Sequence, residues 1–201
     1  WRRGYGIWCG WCSMSEHSVA RATIFAAILF TVSVGLGVVA VARDPAVGME
    51  VMTLFRDQVA SQILSDSPPV LAAKIFLNNL ATCLLLFLGG ASLGVVTVLV
   101  LTANGLLIGA VAELVRQQQG PLFIAAALVP HGIFEIPAFL IAGGLGLLLG
   151  QALMAEWHGA ADAAAAAVPL ARLFLRIVVP LLAVAAVVEA FITPAVLSMI
   201  I

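Results

Sequence analysis

Charge is what this chain most lacks. Only 9% of its residues are Asp, Glu, Lys or Arg, while 63% are hydrophobic, and its mean hydropathy is +1.17. A soluble globular domain carries about one quarter charged residues, so a water-soluble fold is excluded and the chain reads as a polytopic membrane protein. An excess of positive charge is also missing. The 9 Lys and Arg stand against 10 Asp and Glu, and without a basic run no nucleic-acid partner is expected. Cysteine is too scarce for a disulfide framework, with three in the whole chain. Cys83 lies deep in an apolar run, where a thiol behaves as a small hydrophobe. Cys9 and Cys12 form Cys-Gly-Trp-Cys in an N-terminal stretch with no helical periodicity. They would suit a redox dithiol or half a zinc site with His17, but the βαβ pattern and the second ligand pair are missing, so residues 1–19 are expected to form a disordered tail. Met14 is a candidate natural start, which would set the Cys motif aside. There is no His-Glu-x-x-His zinc motif, and no Gly-x-Ser-x-Gly nucleophile elbow is expected. The reading is therefore not an enzyme, with no catalytic residues, no cofactor and no metal.

What the chain does have is long uncharged runs. Residues 22–42 hold no charge over 21 positions, about 31 Å as a helix and enough for a first crossing. The run lacks the cleavage pattern of a signal peptide, so it is expected to be retained. The sizeable polar insert that follows opens with Asp44-Pro45, and Val51, Phe55, Val59 and Ile63 recur every four residues. That spacing predicts an amphipathic helix over 44–66, lying in the membrane interface or packed as a connector. From Ile75 to Ala112 there are 38 uncharged residues, about 57 Å of helix, so the chain must turn back inside them. Asn104-Gly105 is the expected corner, with one crossing near Phe76 to Leu101 and a shorter helix from Leu106 to about Gln119. The run from Pro121 to Gly150 carries two internal prolines and is expected to be a broken helix around 130–137. A connector over 156–167 leads to the last crossing, Leu173 to Ile201. The predicted fold is all-α: a single membrane domain over 1–201, a transmembrane helical bundle of five membrane segments, or six if the broken run crosses twice. Slight charge asymmetry places the N-terminus in the cytoplasm of a multi-pass plasma-membrane protein.

Three small-xxx-small pairs, Gly90 with Gly94, Gly105 with Gly109, and Gly146 with Gly150, point to close helix packing in a tight bundle or dimer. The chemistry concentrates in Pro130-His131-Gly132-Ile133-Phe134-Glu135-Ile136-Pro137. An ionisable residue at membrane depth costs roughly 2.5–3.5 kcal/mol on insertion scales, so such residues face protein or water and often carry function. On a helix, His131 and Glu135 share one face, and Glu189 from the last crossing is the expected third partner. Asn104 and Glu113 could contribute to the same interior, with Thr193 and Pro194 beside Glu189. Asn78 and Asn79 are expected to face the interface. The cluster admits two uses: a proton or cation site, or a polar lock that satisfies the carbonyls released by Pro130 and Pro137.

Phe76-Leu77-Asn78-Asn79-Leu80, Asn104-Gly105 with Gly109, Pro130-His131-Gly132 with Glu135-Ile136-Pro137-Ala138, and Glu189-Ala190-Phe191-Ile192-Thr193-Pro194 occur in an order that resembles the stage II sporulation protein M family. The resemblance spans most of 75–194 and rests chiefly on the Pro-His-Gly-x-x-Glu-x-Pro-Ala element. It implies an integral membrane protein of several helices. The family's namesake works with a peptidoglycan-degrading complex in septal remodelling during engulfment, as a scaffold and not as the hydrolase. Two functions are therefore expected to compete: a non-catalytic membrane scaffold with a membrane-protein partner or a second copy of itself, and an ion- or proton-coupled transporter or channel component that uses His131, Glu135 and Glu189.

Overall fold

The computed structural model describes residues 16–44, 46, 48, 49, 53 and 67–199. Among them the backbone forms helices and no strand. Five helices are long and apolar enough to cross a membrane. They are α1 (Glu16–Arg43), α2 (Pro68–Leu88), α3 (Val95–Gln119), α4 (Pro121–Trp157) and α5 (Ala163–Leu197). With no water to satisfy peptide groups in lipid, a bundle of long helices is the architecture that such an apolar chain can form.

Local chemistry explains most helix ends. Pro68 and Pro69 open α2, where a missing N–H costs nothing. Gly120, at φ +87°, ends α3 and lets Pro121 start α4 directly. Asp162 caps α5, its carboxylate accepting from the Ala165 N–H at 2.9 Å.

Four expectations need correction. The chain turns at Gly89–Ser92, a short 3₁₀ turn continued by Leu93 (φ +58°) and Gly94 (φ +87°), and not at Asn104-Gly105. Asn104 and Gly105 lie inside α3, where the Asn104 amide donates to the Val100 carbonyl of its own helix at 2.9 Å. Second, α4 is one continuous 37-residue α-helix through both Pro130 and Pro137, about 55 Å long. The break at 130–137 is absent, and with it the sixth crossing; a span that exceeds the hydrocarbon thickness is accommodated by tilt or protrusion. Third, the last crossing starts at Ala163 and not at Leu173. Fourth, residues 16–19 belong to α1 and not to a tail, while 1–15 and most of the 44–66 amphipathic segment lie outside the described residues.

The core lies where α4 packs on its neighbours, since α4 touches α1, α2, α3 and α5. Leu86, Leu101, Leu145, Leu170 and Leu182 are fully buried there. Phe30 meets Phe139 at 5.4 Å and Phe87 stacks on Phe174 at 5.5 Å. Between membrane helices there is little hydrophobic drive, so contact quality decides association. Glycine supplies it. A Cβ at Gly109 would strike the Val34 carbonyl of α1, one at Gly105 would meet Ser33 Cβ at 2.7 Å, and one at Gly146 would strike the Leu86 carbonyl of α2. A Cβ at Gly90 would strike the Gly146 carbonyl, and one at Gly150 would lie 2.7 Å from Gly94 N. Gly90 and Gly94 are therefore not two rungs of one helix face: they bracket the α2–α3 corner, which docks onto Gly146 and Gly150.

Candidate functional site

His131 and Glu135 stand one turn apart on α4, and α5 carries Glu189 to the same place. Their ligating atoms, one from each residue, all lie within 4.8 Å of one another, and each residue is half-buried. The α5 backbone is unusual there. Val188–Ile192 forms a π-turn, and Thr193-Pro194 follows it. Proline at 194 cannot donate back to an i−4 carbonyl, and widening the preceding turn is one way for a helix to accommodate that loss. The Thr193 hydroxyl reaches back to the Val188 carbonyl at 3.5 Å, across the widened turn. The second π-turn of α5, Phe174–Val178, likewise precedes a proline, Pro180. Because the π-turn adds a residue, it sets which way Glu189 faces, so Pro194 and Thr193 are parts of the site's frame.

A fourth polar residue comes from α2. The half-buried Asn79 side chain lies near the Glu135 carboxylate, and α2 packs against both α4 and the π-turn of α5. Asn79 thus faces the bundle, while Asn78 is exposed as expected. The signal for this was available: Asn79 and Cys83 are four residues apart, and Cys83, almost fully buried in the core, marks the inward face of α2. His131 is incompletely satisfied, since its Nδ1 is buried without a hydrogen-bond partner. Pro130 and Gly132 flank it on α4, and Pro137 follows Glu135 by two residues.

Two expected contributors are elsewhere. Glu113 is buried, but its carboxylate accepts from Arg116 Nε and Nη2, each at 2.7 Å, and from Gln117 Nε2 at 2.9 Å. It forms a local clamp near the end of α3. Asn104 is occupied by its own helix.

Two cavities among the described residues are lined by none of His131, Glu135 and Glu189. One, of about 830 Å³, lies between the start of α1, the α2–α3 corner and the last third of α4, and includes Arg21, Phe25, Leu93, Leu147 and Gln151. The other, of about 280 Å³, adjoins it at Leu93 and Leu147. Against the expectation that no Gly-x-Ser-x-Gly element occurs, Gly90-Ala91-Ser92-Leu93-Gly94 at that corner has the spacing of a nucleophile elbow. It joins two helices and not a strand to a helix, and Ser92 Oγ is spent on the Gly89 carbonyl (2.6 Å) and the Val96 N–H (2.9 Å). It is a turn cap.

A sequence model described as stage II sporulation protein M matches residues 26–194. The chain belongs to that family. The match takes in most of α1 as well as the 75–194 stretch whose residues carried the resemblance, and it reaches Pro194, just after the π-turn. A 74-residue stretch, 36% of the chain, is 36% identical to an uncharacterized protein of Methanocaldococcus jannaschii and spans 42% of that protein's length. No solved structure matches the chain significantly. Family membership and the five apolar helices make this a multi-pass membrane protein.

Proposed function

We propose that this member of the stage II sporulation protein M family is a non-catalytic membrane scaffold, whose polar cluster fixes the geometry of α2, α4 and α5 so that the bundle presents a constant surface to a membrane partner. The supporting observation is the way the helices meet. Backbone approaches backbone at Gly109, Gly146 and Gly90 with no room for a methyl group, and His131, Glu135 and Glu189 converge away from both cavities. Close-packed glycine contacts resist the rocking that alternating access requires. On this reading the N-terminus is cytoplasmic, the host membrane is the plasma membrane, and the partner is another membrane protein or a second copy of the chain.

Affinity capture from mildly solubilised host membranes should recover one stable partner or a defined homo-oligomer, and Gly109→Ala should release it. Recovery of the chain alone across several detergents would sink the scaffold reading. One observation favours a second reading: three ionisable side chains meet within membrane-crossing helices, as in proton- or ion-coupled carriers. Purified protein in vesicles should then conduct a pH-dependent flux that Glu135→Gln abolishes. The scaffold reading expects no flux from either form.

A further inference from the structure

We propose that His131, Glu135 and Glu189 bind a first-row divalent transition-metal ion of the zinc or manganese type, which ties α4 to α5 inside the membrane. No metal was expected from the sequence, in which the ligands are 58 residues apart at their widest, from His131 to Glu189. Only the fold assembles them. One imidazole and two carboxylates suit ions that take mixed nitrogen and oxygen ligands, and suit calcium or magnesium, which prefer all-oxygen shells, much less well. Ligand atoms bound about 2 Å from one ion lie roughly 3–4 Å apart. The present separations, all within 4.8 Å, therefore close by small side-chain rotations.

Independent features point the same way. The buried Nδ1 of His131 has no hydrogen-bond partner, and an orphaned ring nitrogen at membrane depth wants a proton donor or a metal. Two carboxylates brought together in a low-dielectric interior repel each other unless a cation or a shared proton lies between them. The π-turn of α5 carries one ligand, and such turns are frequent at functional sites. Asn79, near Glu135, is placed to orient that carboxylate as outer partners of metal ligands do.

The inference concerns the same cluster as the scaffold reading but does not need a partner protein. Its test uses full-length protein in detergent, with Cys9→Ser and Cys12→Ser to remove the other potential zinc ligands. Equilibrium dialysis against micromolar Zn²⁺ or Mn²⁺, read by elemental mass spectrometry, should give one ion per chain that a thousand-fold excess of Mg²⁺ does not displace. Glu189→Gln should abolish binding, Asn79→Ala should weaken it about 10- to 100-fold, and His158→Ala, at the exposed end of α4, should leave it unchanged. Should Glu189→Gln fail to fold, X-ray absorption of the zinc-loaded parent decides: a shell of nitrogen and oxygen including one imidazole supports the site, and a shell with sulfur or without imidazole overturns it. Absence of stoichiometric binding also overturns it, and partner capture from the same preparation would then show that the scaffold reading survives alone.

Discussion

Gly109→Ala and Gly35→Ala differ in one respect, and the difference measures how this bundle is held. Both glycines are inside membrane helices, on α3 and α1. A methyl group at Gly109 would land on the carbonyl oxygen of Val34, with Val34 C at 2.9 Å and Cα at 3.0 Å, whereas a methyl group at Gly35 meets nothing within 4 Å. Backbone cannot rotate away, so α1 must retreat from α3 by on the order of 1 Å, a gap that forfeits a quarter to a half of each dispersion contact along the seam. Lipid offers no hydrophobic compensation, because tails are as apolar as the side chains they would replace. Overpacking of this kind costs about 1–3 kcal/mol, against a helix-propensity gain of up to about 1 kcal/mol for replacing glycine with alanine. The net expectation is a loss of about 1–2 kcal/mol for Gly109→Ala and a neutral or slightly stabilising effect for Gly35→Ala. Thermal unfolding in detergent, followed by loss of the monodisperse size-exclusion peak, reads both. Equal stability of the two variants would refute the claim that glycine contacts close the bundle.

Leu101→Ala removes a fully buried side chain that lies against Gly143. Because transfer to lipid contributes little, only the cavity term remains, and the loss in the same unfolding assay should be about 2 kcal/mol, the low end of the soluble range. Thr97→Val deletes a fully buried hydroxyl that donates to the Leu86 carbonyl at 2.8 Å across the α2–α3 corner; about 0.6 kcal/mol, and at most about 1.7, should be lost. Leu93→Gly should stabilise by about 1 kcal/mol, since leucine there holds the left-handed φ of +58° that glycine adopts freely. A destabilised Leu93→Gly variant would show that the leucine side chain outweighs its backbone strain.

Hydropathy alone indicated the membrane environment and at least five crossings, though not all their bounds, because lipid demands long apolar helices whatever the packing. The two errors of register share one cause. Asn104-Gly105 and the Pro130–Pro137 pair are strong breakers in water, yet inside a bundle Asn104 bonds its own helix and Gly105 is the contact point for α1. The real corner, Gly89-Gly90-Ala91-Ser92-Leu93-Gly94, was a denser cluster of turn residues that an isolated Asn-Gly outweighed. At the site, the α4 spacing made His131 and Glu135 neighbours, and Glu189 was the one carboxylate in the last run that could join them. Asn79 is expected at the interface and faces the bundle instead, because its direction depends on how α2 rotates, which the buried Cys83 reports and its own neighbours do not. The π-turn was beyond pattern reading, since one inserted residue shifts a face without leaving a compositional mark.

The central claim is that α4 and α5 meet through Glu135 and Glu189 at membrane depth. Glu135→Cys and Glu189→Cys, combined in a chain whose Cys9, Cys12 and Cys83 are replaced, should be joined by a short bismaleimide in intact membranes. The joined chain would show a mobility shift lost on dilution into denaturant before the reagent is added, while Ile133→Cys with Glu189→Cys should react far less, Ile133 being exposed on another face of α4. Equal cross-linking of the two pairs, or none for Glu135 with Glu189, would contradict the account.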